Sequence, residues 1–439
     1  MKTRSLPIHC FKVSLLLCAL NCPTVSPASD KGVAVSEDFY SDQVHSLGPI
    51  AFNTEYSKKI VNWQQYVTEK PYHILQQTKL GGVKSNALTV SGAVWGTWMH
   101  EQTNVAGKFP ILSRFPDQHG SVDTEADRWI LNNAALALTG RVGDWVTLFA
   151  QGEFSDIEFI GQDQYQVRKA LVMIGNLEKF PLYTYFGRNT VDFGFFDAYN
   201  PFTHSVNNHS FRVDSDDPIL AIGYAPQFIE GLNFVATAIP GGRHLRVADS
   251  DGSGQFDNYA ANLTYRAIVN DDTAIRVGAG WLNSTIYNTE FPHHPGPSHG
   301  FSLGNATTDI KNGAWDVNAE LRWRKFSIAG EFTTTQESWP STGERVTALT
   351  GQFAYDFDLF GKPTRFSYVY GVNYLGPDDT EYEQLKQIAV GLETEICPNF
   401  QLGIEYVRNS AFVPLIAITQ ASDASVRTDT VIAGGKLTF

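Results

Sequence analysis

Trp315-Asp316-Val317-Asn318-Ala319-Glu320-Leu321-Arg322-Trp323 is apolar at every odd position and polar or charged at every even one. Side chains of an extended chain point alternately to its two faces, so this pattern describes a strand with one apolar and one wet face. Phe400-Gln401-Leu402-Gly403-Ile404-Glu405-Tyr406 repeats it, and residues 145–154 put Val146, Leu148, Ala150, Gly152 and Phe154 on one side. Arg324 and Lys325 alone separate the strand ending at Trp323 from one starting at Phe326, which makes a hairpin.

From Ala87 onward the period of two predicts strands starting near residues 87, 128, 145, 165, 182, 219, 232, 257, 274, 314, 326, 345, 364, 382, 400 and 425, sixteen in all. Their connections alternate in length. Long ones cover about 101–127, 155–164, 189–218, 240–256, 285–313, 336–344, 375–384 and 409–424, and short ones lie between them. An even strand number with short turns at one end and long loops at the other is the pattern of a bacterial outer-membrane barrel.

Composition agrees. Aromatics make up 13% of the 439 residues and charged residues only 18%, with 37 Gly. No run of about 18 apolar residues exists, so helical membrane spans are excluded. A net charge of −13 argues against nucleic acid as a partner, because phosphate contacts need a basic face. A secreted sandwich or propeller would explain the alternation, but not the long and short loop rhythm, and no blade repeat is present.

Trp145, Trp315, Trp323, Phe326, Phe400 and Phe439 fall at strand ends, where aromatic rings form interfacial girdles. The last strand carries Val431, Ala433, Gly435, Leu437 and Phe439 on one face, with Lys436 and Thr438 on the other. A terminal aromatic strand of this kind is similar to the signature that such barrels present to their insertion machinery.

Ahead of the barrel, Lys2, Arg4 and Lys12, the apolar run 13–20 and Ser26-Pro27-Ala28 predict a signal peptide over 1–28. Its removal leaves 30 basic against 46 acidic residues, a charge of −16, and Cys397 as an inert lone thiol. Residues 29–86 are polar, and a short helix around 56–67, stopped by Pro71, is the one element predicted there. They are expected to form a periplasmic N-terminal extension to an 87–439 transmembrane barrel, too short and polar to plug it.

Sixteen strands enclose an aqueous lumen unless loops fill it. The inward-facing set is mixed in charge: Glu153, Arg276, Asp316, Glu320 and Arg322, then Glu331, Arg365, Glu393, Glu405 and Lys436. Loop 189–218 is rich in aromatics, among them Phe193, Phe195, Phe196, Tyr199 and Phe202, which are costly to leave in water. It is expected to fold into the lumen as a constriction.

Arg188-Asn189-Thr190-Val191-Asp192-Phe193-Gly194, followed by Tyr199-Asn200-Pro201-Phe202-Thr203-His204, resembles the porin-like siderophore receptors typified by the legiobactin receptor, LbtU. The architecture is similar over most of the chain, and the motif over about 20 residues. The resemblance implies uptake of a ferric siderophore across the outer membrane of a Gram-negative bacterium, without the large plug of energy-coupled receptors. His204, His209 and Arg212 in the constriction loop, and Arg243 and Arg246 in the next long loop, are the candidate groups for an anionic chelate, since Arg forks match carboxylates.

Two alternatives stand beside it: a general or sugar-selective diffusion porin, and a surface barrel that binds a partner through its long loops. The small-molecule solute and the lipid of the outer membrane are the expected partners, with a monomer or a trimer as the assembly. No cofactor is expected. His293, His294 and His299 suit adventitious metal binding better than a site, and 249–254 reads as a Gly/Asp turn, with Ca²⁺ there a minor alternative because Ala260 stands where a bidentate Glu belongs. No nucleophile elbow, phosphate loop or zinc-protease motif occurs, so no enzyme is expected.

Overall fold

The computed structural model describes residues 44–110, 112, 115–116, 118, 121–156, 164–215, 218–240, 256–288, 311–340, 342–376, 384–412 and 423–439. The expected signal peptide, the histidines at 293–299, the turn at 249–254, Arg243 and Arg246 lie outside these residues.

Sixteen antiparallel strands close on themselves. They run as β3 (Leu88–Thr103), β4 (Glu125–Val142), β5 (Val146–Phe154), β6 (Tyr165–Gly175), β7 (Leu182–Arg188), β8 (Ile219–Tyr224), β9 (Leu232–Pro240) and β10 (Phe256–Asn270) in the first half. The second half is β11 (Thr273–Leu282), β12 (Ala314–Trp323), β13 (Phe326–Thr335), β14 (Thr347–Leu359), β15 (Lys362–Tyr374), β16 (Gln384–Cys397), β17 (Phe400–Phe412) and β18 (Asp423–Thr438). Each pairs with its sequence neighbour, and β18 returns to pair with β3, from Thr428 opposite Thr103 to Thr438 opposite Ala93. Every expected strand is present, with starts within three residues of those read from the alternation.

The seam is finished by Phe439. Its backbone exchanges two hydrogen bonds with Gly92, of 2.9 and 3.0 Å, and its ring lies where a Cβ on residue 92 would be. Outward positions such as Ile174, Phe186, Ile222, Val317, Ile328 and Ile404 are about half exposed and form an apolar belt. Trp145, Trp315, Trp323, Phe326 and Phe439 stand out at strand ends, but Phe400 does not. Its ring is 9% exposed and folds onto Gly435, whose missing side chain makes the room.

The N-terminal segment corrects the expectation of a barrel without a plug. Over the described part, 44–86, it holds two short strands, β1 (His45–Leu47) and β2 (Ile50–Phe52), and two helices, α1 (Thr54–Ile60) and α2 (Lys70–Leu80). Pro71 does not stop a helix; it opens α2, where its missing N–H costs nothing, and Gly81 ends α2 at φ +84°. Asn53 caps α1 by accepting the Tyr56 N–H at 3.1 Å.

This segment lies inside the barrel, because it touches walls on every side. Tyr56 bonds Thr139 of β4 at 2.7 Å, Lys58 pairs with Glu395 of β16 at 2.8 Å, and Trp63 packs on Trp95 of β3 at 3.9 Å between ring centroids. Tyr72 stacks on Tyr183 of β7, and Glu69 pairs with Arg266 of β10 and, at 3.0 Å, with Arg276 of β11. A polar segment can be buried here because the lumen wall is itself polar. Cys397 is buried at the end of β16, 7% exposed.

Candidate functional site

Loop 189–218 leaves the wall at β7 and crosses to the far side. Gly194 and Phe196 turn the chain at positive φ, +75° and +58°. The N–H groups of Phe195 and Phe196 then donate to Glu331 of β13 at 2.7 and 3.1 Å. Tyr199 follows, its N–H donating to Gln352 of β14 at 2.9 Å and its hydroxyl to Glu320 of β12 at 2.7 Å.

Glu405 of β17 collects the next donors: Asn200 Nδ2 at 2.8 Å, the Phe202 N–H at 2.6 Å, and the N–H and hydroxyl of Thr203. A short helix, α3 (Val206–Phe211), ends the crossing, with Asn207 donating to Thr333 and to the Ala348 carbonyl.

Wall glycines admit this loop. A Cβ on Gly391 of β16 would lie 2.3 Å from Pro201 Cδ, and one on Gly371 of β15 would lie 2.8 Å from Val206. Gly391→Val will therefore push the loop off the wall. We expect larger single-channel conductance with an unchanged barrel in circular dichroism; equal conductance would mean that the loop does not limit passage.

The N-terminal segment and the loop meet in the lumen. Asp197 accepts the N–H groups of Tyr66 and Val67, both at 2.9 Å, and Gln64 donates to the carbonyls of Asn200 and Thr203. Burial pushes the Asp197 carboxyl up to about 6, against the pull of those two N–H groups. Burial would also raise Glu69, but Arg276 and Arg266 hold it at about 2. Arg276 in turn lies over the Phe195 ring at 4.2 Å, so one arginine touches both the segment and the loop.

The predicted residues divide as follows. Phe193, Phe195, Phe196 and Phe202 are buried inside the barrel, and Tyr199 is half-buried. His204 is 1% exposed. His209 lies in α3, where burial and then Arg212 push its imidazole down to about 4, so it is neutral at pH 7. Arg212 is bound to Asp214 by two hydrogen bonds, of 3.1 and 2.6 Å.

Among the described residues of that set, Arg212 alone lines the pocket at the start and end of the loop. A small pocket open to solvent lies where residues 62–70, strands β5–β7 and both ends of the loop converge. Its cations are Lys70, Arg168, Lys169, Arg188 and Arg212, and its carboxylates Glu153 and Asp214. The sequence reading missed Lys70, Arg168 and Lys169 because Lys70 lies far along the chain from the adjacent pair Arg168 and Lys169. The β3–β4 connection was also read only as an external loop, yet Phe109, Leu112 and Phe115 are buried, the last two against Met99 and Phe202.

No family model matches the sequence. A UPF0422 protein of Coxiella burnetii is 21% identical over 280 residues, which cover 61% of this chain and 57% of that protein, so the chain spans little more than half of that relative. Among solved structures, the anion-selective porin from Comamonas acidovorans aligns with a TM-score of 0.50 at 12% identity, over 80% of this chain and 99% of that one. OprB of Pseudomonas putida aligns with a TM-score of 0.52 at 10% identity, over 79% and 94% of the two chains. At such identities the likeness is one of fold, and together with the closed sheet and its apolar belt it makes this protein an outer-membrane β-barrel of porin architecture.

Proposed function

We propose that the protein is an outer-membrane channel that imports a small anionic solute, a ferric siderophore being the substrate that the motif at 188–204 implies. The observation that carries this reading is the double crossing of the lumen. A free-diffusion pore needs an open water path, whereas here a pinned loop and a pinned N-terminal segment meet at Asp197 and Gln64. Such an obstruction of the lumen suits a solute that is bound and selected as it passes. The net charge of −13 works against drawing in anions from afar, so the attraction is local, at basic side chains such as Arg188, Lys169 and Arg212.

The test is uptake of radiolabelled iron, supplied as the cells' own ferric siderophore, in iron-starved deletion and complemented strains. Saturable uptake that is lost on deletion and restored by complementation is the expected result. The porin fold itself favours a second reading, a diffusion porin for small solutes or sugars. Unchanged iron uptake with a fall in sugar permeability would establish that reading instead.

A further inference from the structure

The short-turn end of the lumen, which faces the periplasm, is covered unevenly. Inward side chains close to these turns, such as Thr147 of β5 and Asn233 of β9, are 2% and 3% exposed. Met173 of β6 and Tyr183 of β7, at the same end, are as deeply buried. Arg322 of β12 and Arg365 of β15 also point inward near their turns, yet their side chains are 48% and 35% exposed. Water therefore reaches this end of the barrel along one wall.

The contacts of the N-terminal segment described above explain the difference. They fall on β3, β4, β7, β10, β11 and β16, and skip four consecutive strands, β12 to β15. Along that wall the arginines are held by neighbouring carboxylates. Arg322 pairs with Glu320 at 3.1 Å, and Arg365 with Asp356 through two hydrogen bonds of 2.7 and 2.8 Å. Glu320 also accepts the Tyr199 hydroxyl, so the constriction loop ends the opening on its inner side. At the long-loop end water enters elsewhere, at the pocket over β5–β7. Strands β6 and β14 are eight apart in a ring of sixteen, so the two openings lie on opposite walls. The segment and the loop meet between them.

We infer that solute crosses on a bent route, entering over β5–β7, passing between the segment and the loop, and leaving along β12–β15, where Arg322 and Arg365 line the exit. A charged side chain in a narrowed, water-filled mouth governs which ions pass, because the low-dielectric wall around it concentrates its field. Both arginines are paired, so the exit presents matched charges and not a sink for one ion. Replacing either arginine by an acid unbalances it. The inference rests on the channel reading and not on which solute is carried.

The experiment records single channels of the full chain in planar bilayers. Arg322→Cys, Arg365→Cys, Thr147→Cys and Asn233→Cys are each treated with a bulky methanethiosulfonate that carries a sulfonate, and the parent protein controls for Cys397. Conductance should fall by half or more for the two exit variants and stay unchanged for the two covered ones. In a salt gradient, Arg322→Glu and Arg365→Glu should each shift the reversal potential toward cation selectivity. The route is overturned if Arg322→Cys and Arg365→Cys carry the reagent by mass spectrometry yet conduct as before, or if the reagent reaches neither. An equal loss in Thr147→Cys and Asn233→Cys overturns it as well. A reversal potential that neither acid moves removes the two arginines from the exit. A parent barrel that conducts nothing also overturns the route, and siderophore-dependent iron uptake that is lost on deletion then keeps the import reading. A mapped exit in a protein whose deletion leaves iron uptake intact does the opposite.

Discussion

Deleting residues 44–86 will raise single-channel conductance in planar bilayers severalfold, because the segment fills the short-turn half of a barrel whose strand number otherwise leaves a water-filled lumen. A deletion can also harm assembly, so a point change offers the cleaner arm. Glu69→Gln leaves Arg266 and Arg276 facing a neutral amide. Breaking a buried pair in this way typically costs about 3–5 kcal/mol, enough to free a segment held by few other ion pairs. Conductance should rise in this variant too, and lysine substituted for Glu69 should raise it further.

Acid gives a reversible version of the same test. The folded-state value of Glu69, about 2, lies below that of the free side chain, so its contribution is complete above about 4.3 and is lost as pH falls toward 2. That contribution is roughly 3 kcal/mol at neutral pH. Asp197 has the opposite sign. Its value of about 6 is raised by burial, so holding it between segment and loop costs less as pH falls through 6. Conductance is therefore expected to be lowest near pH 5 and to climb below pH 4. A flat profile in the wild-type chain, together with an unchanged Glu69→Gln variant, would show that the segment does not obstruct the lumen.

What the sequence revealed and what it hid follow from the same physics. Strand positions were legible because lipid on one side and polar lumen on the other impose a strict period of two. Val317, Ala319 and Leu321 against Asp316, Asn318 and Glu320 can be read no other way. The N-terminal segment was not legible because the usual sign of burial, an apolar face, is weak there. Tyr56, Ile60, Trp63, Ile74 and Leu75 are buried, but so are Glu69, Lys70, His73 and Gln77, which a polar lumen accepts. Its destination was encoded in partners such as Arg266 and Glu395, about 200 and 340 positions away along the sequence.

The loop gave a better signal. Its aromatics demanded cover, and inward glycines at 371, 391 and 403 mark where the cover is found. The pocket gave none, because its cations belong to the segment, two strands and the loop.

Glu405→Leu will release the constriction loop. One carboxylate accepts from Asn200, Phe202 and Thr203 on a segment that is otherwise held to this wall by packing on Gly391 and Gly403. Hydrogen bonds to a charged group contribute about 1.5–3 kcal/mol each, and donors left buried without an acceptor add a penalty of their own. The total exceeds what surface packing of Pro201 and Phe202 replaces. The variant should show higher conductance and new protease cleavage within 189–218, with strand content unchanged.

Glu405→Gln keeps the shape and one acceptor but turns an amide N–H₂ toward donors, so its effect should be intermediate. On the loop, Glu331→Leu frees the N–H groups of Phe195 and Phe196, while Arg276 still lies over the Phe195 ring, so its effect should be smaller than that of Glu405→Leu. If Glu405→Leu and Glu331→Leu both leave conductance and cleavage at wild-type levels in a folded barrel, the glycine-lined wall and not the carboxylates fixes the loop. Gly391→Val then becomes the substitution that opens the channel.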